Sequence, residues 1–208
     1  MILLSLLLAW QLTKFVSRPN SYPDFACMVE YIYPVIPLVL CCFILSDNDQ
    51  NELFLSYKIR LTKLFFTDFF FYYFAMAIPL IVFYFGICPN TFDKPASLFI
   101  PYLISCLITS MFLMSATILF RLAIRNNYAS VGFIFLTVIV FNGEHYNLYS
   151  HTMSANLRRY YVYIDPYISH LTVCDNVWYI NRLILLAASS VFLITSFILL
   201  KKEIINKN

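Results

Sequence analysis

Across 208 residues the chain is 61% hydrophobic and 19% aromatic, yet only 12% charged, where a soluble domain carries roughly 25%. A water-soluble fold of this length leaves too much surface exposed to hide so much apolar side chain, so the bilayer is the expected solvent. The net charge of +3 is small and its bases are spread among apolar blocks, which argues against a nucleic-acid partner.

A helix needs about 20 mostly apolar residues to cross hydrocarbon. The first block, "MILLSLLLAWQLTKFV" (about 1–16), predicts a short span, without the basic leader and small-residue cleavage site of a secretory signal. The second span, about 25–46, contains Pro34 and Pro37, which free carbonyls for neighbours to satisfy. A polar island follows, "SDNDQNELFLSYKIRLTK" (46–63), in which Asp47, Asp49 and Glu52 precede Lys58, Arg60 and Lys63. On a helix, Leu53, Tyr57, Leu61 and Leu64 share one face, with Glu52, Arg60 and Lys63 beside it. Acids at the start and bases at the end suit the helix dipole.

The third span, about 64–86, opens with "FFTDFFFYYF". Aromatic rings collect where membrane meets water. The bland reading is a helix packed on its neighbours; the sharper one is a wall for amphipathic cargo, with Phe69, Tyr72, Tyr73 and Met76 along its path. The fourth and fifth spans are expected at about 97–120 and 128–142, and the sixth at about 182–200. Between the last two, "GEHYNLYSHTMSANLRRYYVYIDPYISHLTVCDNVWYIN" (143–181) is too polar to cross and too aromatic for a free loop. It is expected to form short helices in the outer leaflet. Pro166 should break it, by pushing Asp165 from helical geometry. The overall expectation is an all-α polytopic protein of six transmembrane helices in one domain, with a helix on the inner surface before span three.

Six spans place both termini on one side. With that side cytoplasmic, Lys58, Arg60, Lys63, Arg121, Arg125, Lys201, Lys202 and Lys207 lie inside, against Lys14, Arg18, Lys94, Arg158, Arg159 and Arg182 outside. The short turn "RLAIRNN" and the tail "KKEIINKN" carry this preference most clearly.

Catalytic patterns are thin. Three glycines, Gly86, Gly132 and Gly143, cannot build a phosphate-cradling P-loop, so energy for any work must come from a partner. No HExxH or GxSxG occurs. His145, His151 and His170 share one segment without a carboxylate or Cys at zinc spacing, and read as interfacial polar residues. Glu30 and Asp68 lie near span ends, within reach of headgroups or water. The six cysteines form no CxxC pair; a bridge between Cys88 and Cys174 stays open. The chain is not expected to be an enzyme, nor to hold a cofactor or metal.

The stretch "NVWYINRLILLAASSVFLITSFILLKKE" (176–203) resembles the closing signature of permease subunits of type-2 ABC exporters, in which "W..NRL" opens the last span and "LLKKE" follows it. The polar island resembles that family's coupling helix. One departure is that apolar residues open the sequence, where family members carry an amphipathic helix first. The resemblance implies a permease in the plasma membrane that pairs with a second permease and with cytosolic ABC ATPases, which hold the ATP and Mg. It implies ATPase coupling through Asp49, Glu52, Leu53, Tyr57, Lys58 and Arg60, and an outer segment with Tyr160, Tyr161, Asp165, Pro166 and Trp178. The implied cargo is a peptide, lipid-like or drug-like amphipathic molecule, antimicrobial peptides among them. Abundant Phe, Ile, Asn, Lys and Tyr are compatible with a low-GC bacterium. The alternatives are an immunity or accessory protein that binds a peptide through 143–181 and, more remotely, an intramembrane enzyme.

Overall fold

The computed structural model describes residues 67, 69–71, 73, 74, 78, 99–124, 127–149, 152–167 and 175–207. Among these, all regular structure is helical. Four helices are bounded: α1 (Phe99–Ile124), α2 (Asn127–Tyr149), α3 (Ala155–Tyr161) and α4 (Asn176–Lys207). The residues described between 67 and 78 are helical as well.

α1 is the central element. Its buried residues face every way: Ser105, Cys106, Ile108, Thr109, Ser110, Leu113, Met114, Ser115, Thr117 and Ile118. α4 buries a single stripe, Trp178, Asn181, Arg182, Leu185, Ser189, Leu193 and Ser196, at steps of one, three and four residues. Its opposite side exposes Leu183, Val191, Ile194 and Ile198. α1 therefore packs within the bundle, whereas α4 covers it.

The contacts fix the directions. Trp178 meets α1 at Ser105, and Leu193 meets it at Met114 and Ile118, so α4 runs parallel to α1. α2 runs the other way: the Phe120 and Phe133 rings are 4.4 Å apart between centroids, Leu113 packs on Val138, and Phe112 meets Phe141 at 6.4 Å. Phe69 and Tyr73 also run against the direction of α1. Phe69 is buried against Met114 and Ile118, while the Tyr73 hydroxyl donates to the Leu107 carbonyl at 3.0 Å, farther toward the start of α1. Consecutive long helices thus alternate in direction, and α2 is the return between the two parallel ones.

Hydroxyls along the helices turn back on their own backbone. Thr117 donates to Leu113 O at 2.7 Å, Ser189 to Leu185 O at 2.7 Å, and Thr195 to Val191 O at 2.8 Å. That habit satisfies a polar group where no water is at hand. Two stretches, Leu103–Ile124 and Asn176–Lys202, are long and apolar enough to cross a membrane. Only 22% of the most apolar window of the second is buried, far less than the core helix of a soluble domain would show.

α2 begins and ends differently from the apolar block that predicts it. It continues past residue 142 through Gly143 and Glu144 to Tyr149, because a helix is held by backbone bonds that polar side chains do not interrupt. Likewise α4 starts at Asn176 rather than 182 and runs on through Lys201 and Lys202. The segment 143–181 is therefore shared between the end of α2, the short α3 and the start of α4.

Gly143 is exposed within α2, and a methyl group added there would meet nothing within 4 Å. Glycine in a helix interior costs about 0.5–1 kcal/mol relative to alanine. Gly143→Ala is expected to stabilise the protein by that amount, read as a rise in the midpoint of thermal unfolding in detergent.

Candidate functional site

The most densely bonded polar cluster among the described residues lies where α1 and α4 begin. It starts from a broken helix. α3 closes its backbone bonds in sequence, from Arg158 N to Ser154 O at 2.9 Å through Asp165 N to Tyr161 O at 2.9 Å. Pro166 then offers no N–H and excludes helical geometry at Asp165. The chain turns there, and the Asp165 carboxylate accepts the Tyr167 N–H at 3.0 Å, an Asx-type turn that caps the break.

Breaking a helix leaves carbonyls unpaired. Asp165, Pro166 and Tyr167 are all buried, so water cannot serve those carbonyls. α4 serves them instead. Asn181 donates through its amide to Val162 O at 3.1 Å and to Asp165 O at 2.9 Å. Arg182 donates to Pro166 O at 3.1 Å and to Thr109 Oγ1 at 2.8 Å, and the Thr109 hydroxyl itself donates to Pro166 O at 2.8 Å. One turn earlier, the Trp178 indole N–H donates to Ser105 Oγ at 2.9 Å. Residues 178, 181 and 182 share one helix face by their spacing of three and four. Ser105 and Thr109 stand one turn apart on the facing side of α1.

The result is a latch of three parts: the turn at 162–167, α1 and α4. Arg182 is only 3% exposed. A buried guanidinium persists where oxygens accept from it, and here its Nη1 donates to the Pro166 carbonyl and the Thr109 hydroxyl, with the Ser105 carbonyl at 3.5 Å. Tyr161 adds a tie to α2, its half-buried hydroxyl donating to Phe141 O at 3.2 Å. Burial, and then the negative charges of Asp165 and Glu144, push its ionisation well above the ordinary tyrosine range. It therefore stays a neutral donor.

Of the residues singled out from sequence, Tyr161, Asp165, Pro166 and Trp178 come together here. Tyr160 does not join them and is 73% exposed. Phe69 lies in the core between α1 and α4, and Tyr73 is half-buried beside it. Tyr72 and Met76, the island residues Asp49, Glu52, Leu53, Tyr57, Lys58 and Arg60, and Glu30, Asp68, Cys88, His151, His170 and Cys174 lie outside the described residues. His145 falls on α2. Ser105 and Thr109 were not singled out by the sequence, and Arg182 was counted there only as a charge.

No family model, curated protein or solved structure matches the chain. The cluster must be read from its own chemistry. Apart from the Asx-type turn at Asp165, its bonds join one segment to another, through carbonyl and hydroxyl acceptors. Such an arrangement holds the three segments in position.

Removing a partner from a buried network costs more than the bond itself, because the other partner is left unsatisfied. Asn181→Ala is expected to destabilise the protein by about 1–3 kcal/mol. Asn181→Asp should be worse, since it sets a carboxylate against two carbonyls. Arg182→Met should cost at least as much as Asn181→Ala and expose the turn at 162–167 to protease. Unfolding midpoints and limited proteolysis in detergent check this order; equal midpoints for the alanine and aspartate variants would contradict the amide's role.

The shifted Tyr161 has a pH consequence. Its folded-state value lies above the ordinary value of 10.0, so its contribution is complete below pH 10. As pH rises further the unfolded chain ionises first and the contribution falls away. Tyr161→Phe should show a shallower loss of stability above pH 10 than the parent chain, measured by unfolding midpoints across that range.

Proposed function

We propose that the chain is the transmembrane permease subunit of an ABC transporter of the exporter type, residing in a bacterial plasma membrane with both termini cytoplasmic. The single observation that supports this most is the latch. The residues that carry the family resemblance at the head of the last span, Trp178, Asn181 and Arg182, are the ones that grip the preceding turn and α1. A permease must convert displacement on one side into rearrangement on the other. Helices that alternate in direction, with a segment tied to two of them at one end, suit that task.

In this reading the chain performs no covalent chemistry. Cytosolic ATPase subunits bind ATP and Mg, close on each other and push the coupling helix at about 48–62. The push reaches the helix bundle through span three, whose Phe69 and Tyr73 pack along α1. α4 moves with the turn at 162–167, and a path opens beside a second permease subunit. Six spans complete the arrangement. The cargo is an amphipathic molecule, such as a peptide, and the apolar lining offers it van der Waals contact rather than charge.

Affinity isolation of the full chain from its native membrane in mild detergent tests the reading. A nucleotide-binding subunit should be recovered with it, and Glu52→Lys combined with Arg60→Glu should release that subunit while leaving the unfolding midpoint unchanged. Recovery of the chain with no nucleotide-binding subunit, under conditions that keep other membrane complexes intact, would sink the proposal.

A further inference from the structure

The latch is built on the turn at 162–167, whereas every residue of α3 from Ala155 to Tyr160 is exposed. Of the apolar ones, Leu157 is 64% exposed and Tyr160 73%, and Ile164 in the following turn is 49%. The helical turn continues to Asp165, so these residues, at i, i+3 and i+7, form one stripe. Arg158 and Arg159 are also exposed. They follow Leu157 by one and two positions, about 100° and 200° round the helix, and so leave the stripe at its flank and its far side. An apolar stripe with bases turned away from it is the pattern of a helix lying at a boundary between hydrocarbon and water.

The depth agrees. The latch joins the turn to Thr109 and to Asn181 and Arg182. The apolar stretches begin at Leu103 and Asn176. The contacts therefore lie no more than about 9 Å inside the start of either stretch, at 1.5 Å per residue. That is the headgroup-to-acyl boundary, roughly 5–10 Å deep for an interfacial helix. Exposed Tyr179, Ile180 and Leu183 of α4 continue the apolar surface at the same level.

We propose that α3 docks on anionic phospholipid in its own leaflet, with Arg158 and Arg159 holding lipid phosphate while Leu157, Tyr160 and Ile164 enter the acyl boundary. Charge selects this occupant. α3 carries two adjacent guanidinium groups and no acidic residue, which complements a phosphodiester. A second copy in the same place would set arginine against arginine, and a cationic peptide would be repelled. The inference rests on the membrane-embedded part of the proposed function and is independent of the ATPase and the cargo.

The test uses the full chain reconstituted in phosphatidylcholine nanodiscs with a trace of spin-labelled phosphatidylglycerol or spin-labelled phosphatidylcholine. The immobilised fraction of labelled phosphatidylcholine reports the lipid shell and hence the embedding itself. The ratio of the two labels reports selectivity. The parent chain should prefer phosphatidylglycerol, and Arg158→Gln and Arg159→Gln should each lower that preference roughly five-fold. Leu157→Ser with Tyr160→Ser should shorten the protection of residues 152–165 from protease in either lipid. A double arginine variant that keeps the parent's selectivity overturns the proposal. So does inorganic phosphate that abolishes the preference at equal ionic strength, which would make the site one for free anions. A photo-crosslinker at position 160 that captures a second chain or an added peptide instead of lipid also overturns it.

Discussion

A polar backbone group removed from water must find a partner, and the turn at Pro166 is where this chain meets that demand most sharply. The proline stops a helix inside the protein and strands the carbonyls of Val162, Asp165 and Pro166. Two neighbouring side chains of α4 accept the obligation. Most of the geometry at that end of the bundle follows: α4 must begin early enough to present Asn181 and Arg182, and α1 must offer Thr109 at the matching height. The break and its repair come as a pair, and neither would persist in an apolar setting without the other.

Away from the latch, the helices are joined by different means. The hydroxyls of Thr117 and Ser189 are spent on their own helices, and apolar contact joins α1 to α4 there, with Met114 and Ile118 on Leu193 and Phe112 on Phe192. Directional bonds at one end and non-directional packing along the rest give the pair two mechanical characters. The latched end resists displacement in any direction, because hydrogen bonds weaken steeply with distance and angle. The packed remainder tolerates small shifts, since one apolar surface replaces another at similar energy.

How much was legible in the sequence depended on what each signal reports. The apolar blocks at 97–120, 128–142 and 182–200 located three long helices, but hydropathy marks the part that suits lipid and not the part that is hydrogen-bonded. α2 therefore ran on to Tyr149 and α4 reached back to Asn176. The stop at Pro166 was legible because proline acts through local sterics. Ser105 and Thr109 were not, because a hydroxyl in an apolar helix ordinarily bonds its own backbone, and nothing in the chain distinguishes these two from Thr117. Arg182 carried a readable charge, but its burial depends on a turn sixteen residues earlier. The segments before residue 67 are outside the described residues, so the coupling residues were legible only through resemblance.

The parallel course of α1 and α4 settles a matter of parity. Helices that point the same way deliver their C-terminal ends to the same face, so the buried Arg121 near the end of α1 and the exposed Lys201 and Lys202 of α4 lie toward one end of the pair. Arg158 and Arg159 stand at the far pole. Among the described residues the α1–α4 pair thus carries bases toward both ends, a distribution of charge that matches phosphate on either side of an apolar layer.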